Sequence, residues 1–187
     1  VGHRTVGVER READLGGGPA EQLYGEEKRL FALAALKAPF DVRVGLFSTI
    51  YGPYQDTDGV RSKFPTAIID RIINANGGPI EVWGNGTQTR TFLYIDDAIE
   101  RMCRIAEMPY SGPVNVGSDE EVTVRECADW VCEFAGVEPE YVFNLAKPTG
   151  VMAKQSDNSL FFERYGAAPQ TPCKEGFRKL YDWMLSC

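Results

Sequence analysis

Helix-like and strand-like apolar patterns alternate along most of this chain, and this alternation restricts its fold more than any other feature. The segment YGEEKRLFALAALKA (24–38) has apolar side chains around most of a helix, and DVRVGLF (41–47) is a short valine-rich run typical of a buried strand. Further helices are predicted at 64–76, 95–108, 123–136, 156–166 and 172–186, and further strands at 80–84, 88–95 and 113–117. Such a mixture occurs in α/β and α+β architectures.

Local signals set several boundaries in this pattern. The capping box T-V-R-E opens the helix at 123–136, and Gly136 closes it. Pro172 is expected at the first position of the last helix. Turn residues at 85–87 separate the strands at 80–84 and 88–95. Residues 1–23 and the polar stretch 48–63 are predicted to be irregular.

Charge and composition argue against several classes of function. The net charge of −7 speaks against binding a nucleic-acid backbone. No run of about 18 apolar residues is present, so no membrane span is expected, and residues 1–18 lack the apolar core of a signal peptide. The five cysteines show no C-x-x-C spacing, which favours reduced thiols and a cytoplasmic location. A single histidine, His3, argues against a histidine-based triad or zinc site.

Tyr24 and Lys28 form a pair with possible chemistry at the start of the first helix. Residues four apart share a helix face, so the two side chains point the same way. A free tyrosine has a pKa of about 10, and a nearby ammonium lowers it. The pair can therefore take a proton from a sugar hydroxyl while a nicotinamide accepts the hydride, and the lysine can hold the nicotinamide ribose. Taken alone, the spacing fits an ordinary surface pair better, because Y-x-x-x-K is common.

Four segments, in order, give the chain a family resemblance: Y-G-x-x-K (24–28), R-V-G-L-F-S-T-I-Y-G-P (43–53), W-G-N-G-T-Q-T-R-T-F-L-Y-I-D-D (83–97) and V-N-V-G-S (114–118). Over about residues 20–187, the chain resembles the C-terminal part of extended short-chain dehydrogenase/reductases, the NAD-dependent nucleotide-sugar epimerases and dehydratases. The resemblance implies NAD as cofactor and a nucleotide-sugar as substrate. It implies an α/β fold in which 1–51 end a Rossmann domain and 52–187 form mainly a small nucleotide-sugar-binding subdomain.

The resemblance also bears on the apolar helix at 24–38. In the extended family this helix packs on the sheet and on the same helix of a second subunit, so a homodimer through 24–38 is implied. Apolar residues around most of the helix suit burial on two sides. The alternative is a central core helix in a monomer.

A closer resemblance is to the GDP-mannose 3,5-epimerase family, through 59–65, 83–92, 113–120, 156–160 and 174–178. The most diagnostic element is G-x-x-x-K-x-P, whose lysine is an acid/base on the sugar ring in that family; Lys63 stands at the matching position. The resemblance places further substrate contacts at Thr49, Trp83, Gln88, Arg90 and Lys154.

Several of these positions have their own chemistry or depart from the family pattern. Arg90 offers a guanidinium fork that suits a pyrophosphate, whereas Trp83 is alternatively a core residue. Thr49 stands where the family has asparagine. Lys154 replaces an arginine-rich approach and would meet a phosphate only as a point charge.

The resemblance implies a reaction through a transient 4-keto sugar. Tyr24 removes the C4 hydroxyl proton while NAD+ takes the C4 hydride, and Lys63 with a partner outside this chain moves protons at C3 or C5. The alternatives are a 4-epimerase, a 4,6-dehydratase, and a non-catalytic nucleotide-sugar-binding module.

Two parts of the implied enzyme have no candidate in this sequence. No G-x-G-x-x-G or G-x-x-G-x-x-G follows a predicted strand, and none of the five cysteines matches the family's catalytic cysteine. The resemblance places both parts upstream of Val1. The 187-residue chain alone is therefore expected to be inactive and to bind NAD+ poorly.

Overall fold

The computed structural model describes residues 9–16, 23–57, 62–147 and 155–187. The α-helices are Leu23–Ala35 (α1), Phe64–Ala75 (α2), Ile95–Glu107 (α3), Val124–Ala135 (α4), Ser159–Tyr165 (α5) and Cys173–Leu185 (α6), and Glu12–Gly16 is a 3-10 helix. The strands are Glu9–Arg10 (β1), Val44–Phe47 (β2), Thr49–Tyr51 (β3), Ile80–Trp83 (β4), Thr89–Tyr94 (β5), Pro113–Val116 (β6), Glu121–Thr123 (β7), Tyr141–Asn144 (β8) and Gln155–Ser156 (β9).

Most strand pairs in the described part of the chain are parallel. β2 pairs with β6, β3 with β5, β4 with β8 and β1 with β9, all in parallel. β5 also pairs with β7 in antiparallel register, with Thr89 opposite Thr123. Parallel strands need crossover connections, which helices such as α2 and α3 supply here. The structure therefore confirms the predicted α/β class.

Several short strands lie where the sequence pattern gave no signal. The stretch 48–63, predicted as a loop, contains β3, and β7, β8, β1 and β9 were also missed. The two predicted strands around Asn85 do not pair with each other, because β4 pairs with β8 and β5 lies between β3 and β7. The turn between them is present: the Asn85 Oδ1 atom accepts hydrogen bonds from the backbone N–H and the hydroxyl of Thr87.

Helix ends follow local chemistry in one case and tertiary contacts in another. The predicted capping box of α4 is present: the Thr123 hydroxyl accepts from the Glu126 N–H at 3.0 Å, and the Glu126 carboxylate accepts from the Thr123 N–H at 2.7 Å. The predicted start of α6 was wrong by one residue, because Pro172 is the N-cap and the helix begins at Cys173. The Glu120 carboxylate accepts from the Cys173 N–H at 2.8 Å and caps this end.

The central strand β5 divides the core into two clusters. Side chains alternate along a strand, so Phe92 and Tyr94 face one cluster and Leu93 the other. The larger cluster lies among α2, α4 and α6, and the smaller one among α3, α5 and β6. β2 lies before residue 52 and β6 lies after it, and these two strands pair with each other. One parallel strand pair therefore contains residues from both predicted domains. The division at residues 51 and 52 stays a prediction.

None of the helices in the described ranges is both long enough and apolar enough to cross a bilayer.

Gly176 in α6 allows this helix to approach Tyr51 closely. A Cβ atom on Gly176 would overlap the Tyr51 hydroxyl oxygen and lie 2.8 Å from Tyr51 Cζ. Tyr51 is buried, and its hydroxyl donates to the Cys173 carbonyl at 3.1 Å, so its ring has little room to move. We expect Gly176→Ala to lower the free energy of unfolding by about 1–3 kcal/mol through overpacking, measured by urea denaturation.

The matched control for this substitution is Gly16→Ala, since a Cβ atom there meets no described atom within 4 Å. We expect the control to change stability by no more than about 0.5 kcal/mol. A Gly176→Ala variant as stable as the wild type would contradict the packing described here.

Candidate functional site

A cleft of about 490 Å³ opens beside the carboxyl end of β3. Its wall is formed by residues 50–56, and Lys63 and Ile95 complete the lining. Ile95 directly follows β5, the parallel partner of β3, so the cleft lies at the carboxyl ends of two neighbouring parallel strands. This is where α/β proteins commonly bind their ligands.

The loop that forms the wall has an unusual backbone. Gly52 has a φ of 153°, and a Cβ atom there would overlap the Ile95 side chain. Tyr54 has a φ of 67°, a left-handed conformation that is uncommon for a bulky residue. The Tyr54 ring lies against the Trp183 ring of α6, with 5.6 Å between the ring centroids. The wall therefore has a defined shape that depends on contacts from several elements.

Lys63 stands at the N-cap of α2, and its exposed side chain lines the cleft. Its carbonyl accepts from the Ala67 N–H at 3.0 Å, which fixes its backbone to the first turn. Pro65, in the same turn, is buried. The backbone of Lys63 is thus fixed, and its long, flexible side chain carries an ammonium group at the cleft. This arrangement suits proton transfer to a bound molecule.

Tyr24 and Lys28 lie together on α1. The Lys28 Nζ atom is 5.3 Å from the centroid of the Tyr24 ring, and the ring is 70% exposed. Neither residue is among those that line the cleft. An exposed phenol beside an ammonium is able to exchange a proton with a ligand that approaches this face.

Thr49 and Arg90 lie on adjacent strands. Thr49 pairs with Phe92, and Arg90 precedes Phe92 by two residues on β5, so the three side chains point to one face of the sheet. Arg90 Nη1 donates to the Thr89 carbonyl at 2.6 Å. Burial lowers the pKa of the half-buried Arg90 guanidinium. A cation that is partly shielded from water binds an anion more strongly than one at the open surface.

Trp83 and Gln88 form a separate group at the end of β4. Gln88 is 3% exposed, and its Nε2 atom donates to the Trp83 carbonyl at 2.8 Å, so the amide braces the turn from inside. The Trp83 ring lies close to two cations, with Arg71 Cζ at 4.7 Å and Lys147 Nζ at 5.4 Å from its centroid. Trp83 is therefore a half-buried surface residue with cationic neighbours. The structure does not place this pair on the cleft lining.

Lys154 and residues 59–61 of the G-x-x-x-K-x-P element lie outside the described residues.

Two segments that carry the family resemblance contact each other. Asn115 Nδ2 donates to the Asp157 carbonyl at 2.9 Å, and Asn158 Nδ2 donates to Asp119 Oδ1 at 2.7 Å. A Cβ atom on Gly117 would overlap the hydroxyl of Ser156. The segments 113–120 and 156–160 thus hold β6 against the start of α5, which gives their residue types a structural reason.

Two polar residues with notable surroundings in the structure were not predicted from the sequence. Arg101 is fully buried, donates to the Gly117 carbonyl and lies 5.5 Å from the Phe161 ring centroid. The available signal was its place on the apolar face of α3, in the same row as Ala98 and Ile105. Gln55 lines the cleft, and no local pattern marks it.

Comparison with known proteins identifies a family and several similar proteins. Residues 6–117 match the family described as "NAD dependent epimerase/dehydratase family". The chain is 34% identical over 186 residues to GDP-mannose 3,5-epimerase of Arabidopsis thaliana, which covers 96% of this chain and 48% of that protein. It is 35% identical over 151 residues to "Probable GDP-L-fucose synthase 1" of Oryza sativa subsp. japonica, which covers 78% and 45% respectively. The chain spans about half the length of the curated relatives it matches.

Solved structures share this fold. A GDP-L-fucose synthetase from Naegleria fowleri superposes with a TM-score of 0.82 at 18% identity, covering 97% of this chain and 61% of that one. UDP-glucose 4-epimerase from Thermotoga maritima, solved with UDP-glucose, superposes with a TM-score of 0.81 at 19% identity, covering 98% and 59%. At these identities the likeness shows the fold, and it agrees with the α/β class predicted from the sequence.

Proposed function

This chain belongs to the NAD dependent epimerase/dehydratase family, and we propose that it acts as a nucleotide-sugar epimerase of the GDP-mannose 3,5-epimerase kind. Its fold is the C-terminal part of a Rossmann-type extended short-chain dehydrogenase/reductase. The observation that carries the proposal is the position of Lys63 on the lining of the cleft at the carboxyl ends of β3 and β5. Proton transfer at C3 or C5 of the sugar needs such a group, whereas 4-epimerisation does not.

The proposed reaction assigns separate tasks to separate residues. Tyr24, with Lys28 beside it, accepts the proton of the sugar C4 hydroxyl, and transfer of the C4 hydride to NAD+ would complete the oxidation to a ketone at C4. The ketone acidifies the neighbouring C–H bonds. Lys63 and a second acid/base then remove and return a proton at C3 or C5. Thr49 and Arg90 are proposed to hold the diphosphate, Arg90 as a partly desolvated cation. Trp83, Gln88 and Lys154 stay predictions as substrate contacts.

NAD is the cofactor of this family, and it supplies a reversible acceptor for the C4 hydride. The exposed Tyr24–Lys28 pair fits the nicotinamide ribose, because both groups can donate hydrogen bonds to its hydroxyls. The sequence holds no glycine fingerprint for the pyrophosphate. These residues would thus hold one end of the cofactor.

Two further proposals concern assembly and location. The helix α1 leaves Leu23, Leu30 and Phe31 more than half exposed, and Phe31 is 77% exposed. An apolar helix face of this kind supports a homodimer through 24–38.

The five cysteines are free thiols, which supports a cytoplasmic location.

The test of the proposed function is product analysis with the full-length protein, GDP-mannose and catalytic NAD+. We expect the 3- and/or 5-epimers of the GDP-sugar to accumulate, separated by chromatography, with no net change in the absorbance of reduced nicotinamide, since the cofactor is recycled. A 4-epimer as sole product would favour the 4-epimerase alternative, and loss of water from the sugar would favour the 4,6-dehydratase. Binding of GDP-mannose with no product would favour the non-catalytic module.

A further inference from the structure

We infer that Gln55 and Thr66 are positioning residues that hold Lys63 in place at the cleft. The Gln55 Nε2 atom donates to the Gly52 carbonyl at 2.9 Å, and the Thr66 hydroxyl donates to Gln55 Oε1 at 2.9 Å. The Gln55 side-chain amide therefore connects the cleft wall to the first turn of α2, and its two hydrogen bonds form a tie between them. The inference rests on the proposed role of Lys63, which begins that turn.

The wall needs such a tie because its backbone is unusual. Gly52 and Tyr54 both have positive φ values, and the left-handed conformation of Tyr54 costs free energy that surrounding contacts must offset. The hydrogen bond from Gln55 to Gly52 closes the loop across this strained segment. Without the amide, the wall loses a contact that favours its observed shape.

The other end of the tie is buried. Thr66 is 0% exposed, so its hydroxyl has no access to water and depends on Gln55 as its acceptor. Loss of the Gln55 amide would leave the buried Thr66 hydroxyl without a partner, which costs free energy. Thr66 therefore restricts where Gln55 can lie, and through Gln55 it restricts the wall.

The two hydrogen bonds of Gln55 fix the distance between Lys63 and the cleft wall at Gly52. Thr66 follows Lys63 by three residues, within the first turn of one rigid helix. Anchoring Thr66 to Gln55 thus sets the position of the Lys63 backbone relative to Gly52. Proton transfer is sensitive to this geometry, because a displacement of about 1 Å can cost about 10²-fold in rate. A purely structural role would lower stability and both steps of the reaction together.

The first test compares Thr66→Val with Thr66→Ser in the full-length protein. Valine keeps the shape and removes the hydroxyl, whereas serine keeps the hydroxyl. We expect Thr66→Val to lower solvent-deuterium incorporation at C3 and C5 by about 10- to 100-fold. Formation of the 4-keto sugar should stay within about twofold of wild type, and Thr66→Ser should restore most of the exchange. An equal loss of both steps in Thr66→Val, or no loss of either, would overturn the inference.

A second test asks whether the tie acts through Lys63. In a Lys63→Ala background, adding Thr66→Val should lower the residual exchange no further, because the positioned group is already gone. A further loss of the same size as in the wild-type background would contradict action through Lys63.

A third readout does not depend on turnover. Reductive methylation followed by mass spectrometry measures how fast each lysine reacts, and exposed Lys37 serves as an internal control. We expect Thr66→Val to change the methylation rate of Lys63 by at least about twofold, because the local environment of its amine changes modestly. The methylation rate of Lys37 should stay unchanged. If the wild-type protein shows no solvent-deuterium exchange, the proposed function fails. Unchanged methylation of Lys63 in Thr66→Val would overturn the positioning role independently of that result.

Discussion

Tyr24→Phe is expected to abolish both 4-keto sugar formation and epimerisation in the full-length protein, with a loss of about 10²–10⁴-fold or more. The substitution removes the phenolic oxygen, which accepts the C4 hydroxyl proton as a phenolate, and keeps the exposed ring beside Lys28. Without a C4 ketone the C–H bonds at C3 and C5 are not acidic, so both steps fail together. Chromatography of the GDP-sugars measures epimerisation, and borodeuteride trapping measures the ketone.

A matched control for Tyr24→Phe is Tyr165→Phe in α5. The Tyr165 hydroxyl is buried with no hydrogen-bond partner in the described part of the chain, so its removal should leave both steps unchanged. If Tyr24→Phe retained activity within about tenfold of wild type, the hydroxyl would not be the general base proposed here.

Lys63→Ala should separate the two steps. The variant keeps Tyr24 and Lys28, and we expect it to form the 4-keto sugar while epimerisation falls by about 10²–10⁴-fold. The reason is that the proposed reaction gives Tyr24 the C4 hydroxyl and Lys63 the C–H bonds at C3 or C5, so the two groups serve different bonds of the sugar. The same chromatography and trapping experiments measure both quantities.

The control for this substitution is Lys174→Ala, which removes a surface ammonium that pairs with Glu133 at 2.7 Å. A surface pair of this kind contributes little to stability, and Lys174 does not line the cleft. Equal loss of ketone formation and epimerisation in Lys63→Ala would argue that the lysine binds substrate rather than moves protons.

The longer periodic elements were predictable from the sequence. The helices predicted at 64–76, 95–108 and 123–136 begin and end within one residue of α2, α3 and α4. Each has an apolar face that packs in one of the two core clusters, so burial and local pattern agree. The strands at 80–84, 88–95 and 113–117 were placed equally well, since their apolar residues face the core.

The short strands could not be predicted because their partners lie far away in sequence. β3 is a strand only because it pairs with β5, about 40 residues later, and β8 only because it pairs with β4, about 60 residues earlier. A run of three or four residues carries too little periodicity to show such pairing. For the same reason, the turn at Asn85 was visible while the partners of its flanking strands were not.

The candidate site was predictable where a segment resembles a family and unpredictable where it depends on packing. Lys63 was predicted by its place in G-x-x-x-K-x-P, and the structure puts it on the cleft. The tie from Gln55 to Thr66 joins a loop to a helix across 11 residues and leaves no periodic signal. The contact of Gln88 with substrate stays a prediction. Its burial and its hydrogen bond to the Trp83 carbonyl arise from tertiary packing and were not predicted from the sequence.

Deuterium exchange from solvent directly measures whether Lys63 moves protons on the sugar. Full-length protein is incubated with GDP-mannose and NAD+ in deuterium oxide, and the recovered GDP-sugars are analysed by NMR at C3, C4 and C5. We expect deuterium at C3 and/or C5 with the wild type, none at C4, and at least about 10²-fold slower incorporation with Lys63→Ala. Incorporation by Lys63→Ala at the wild-type rate would contradict this role of Lys63.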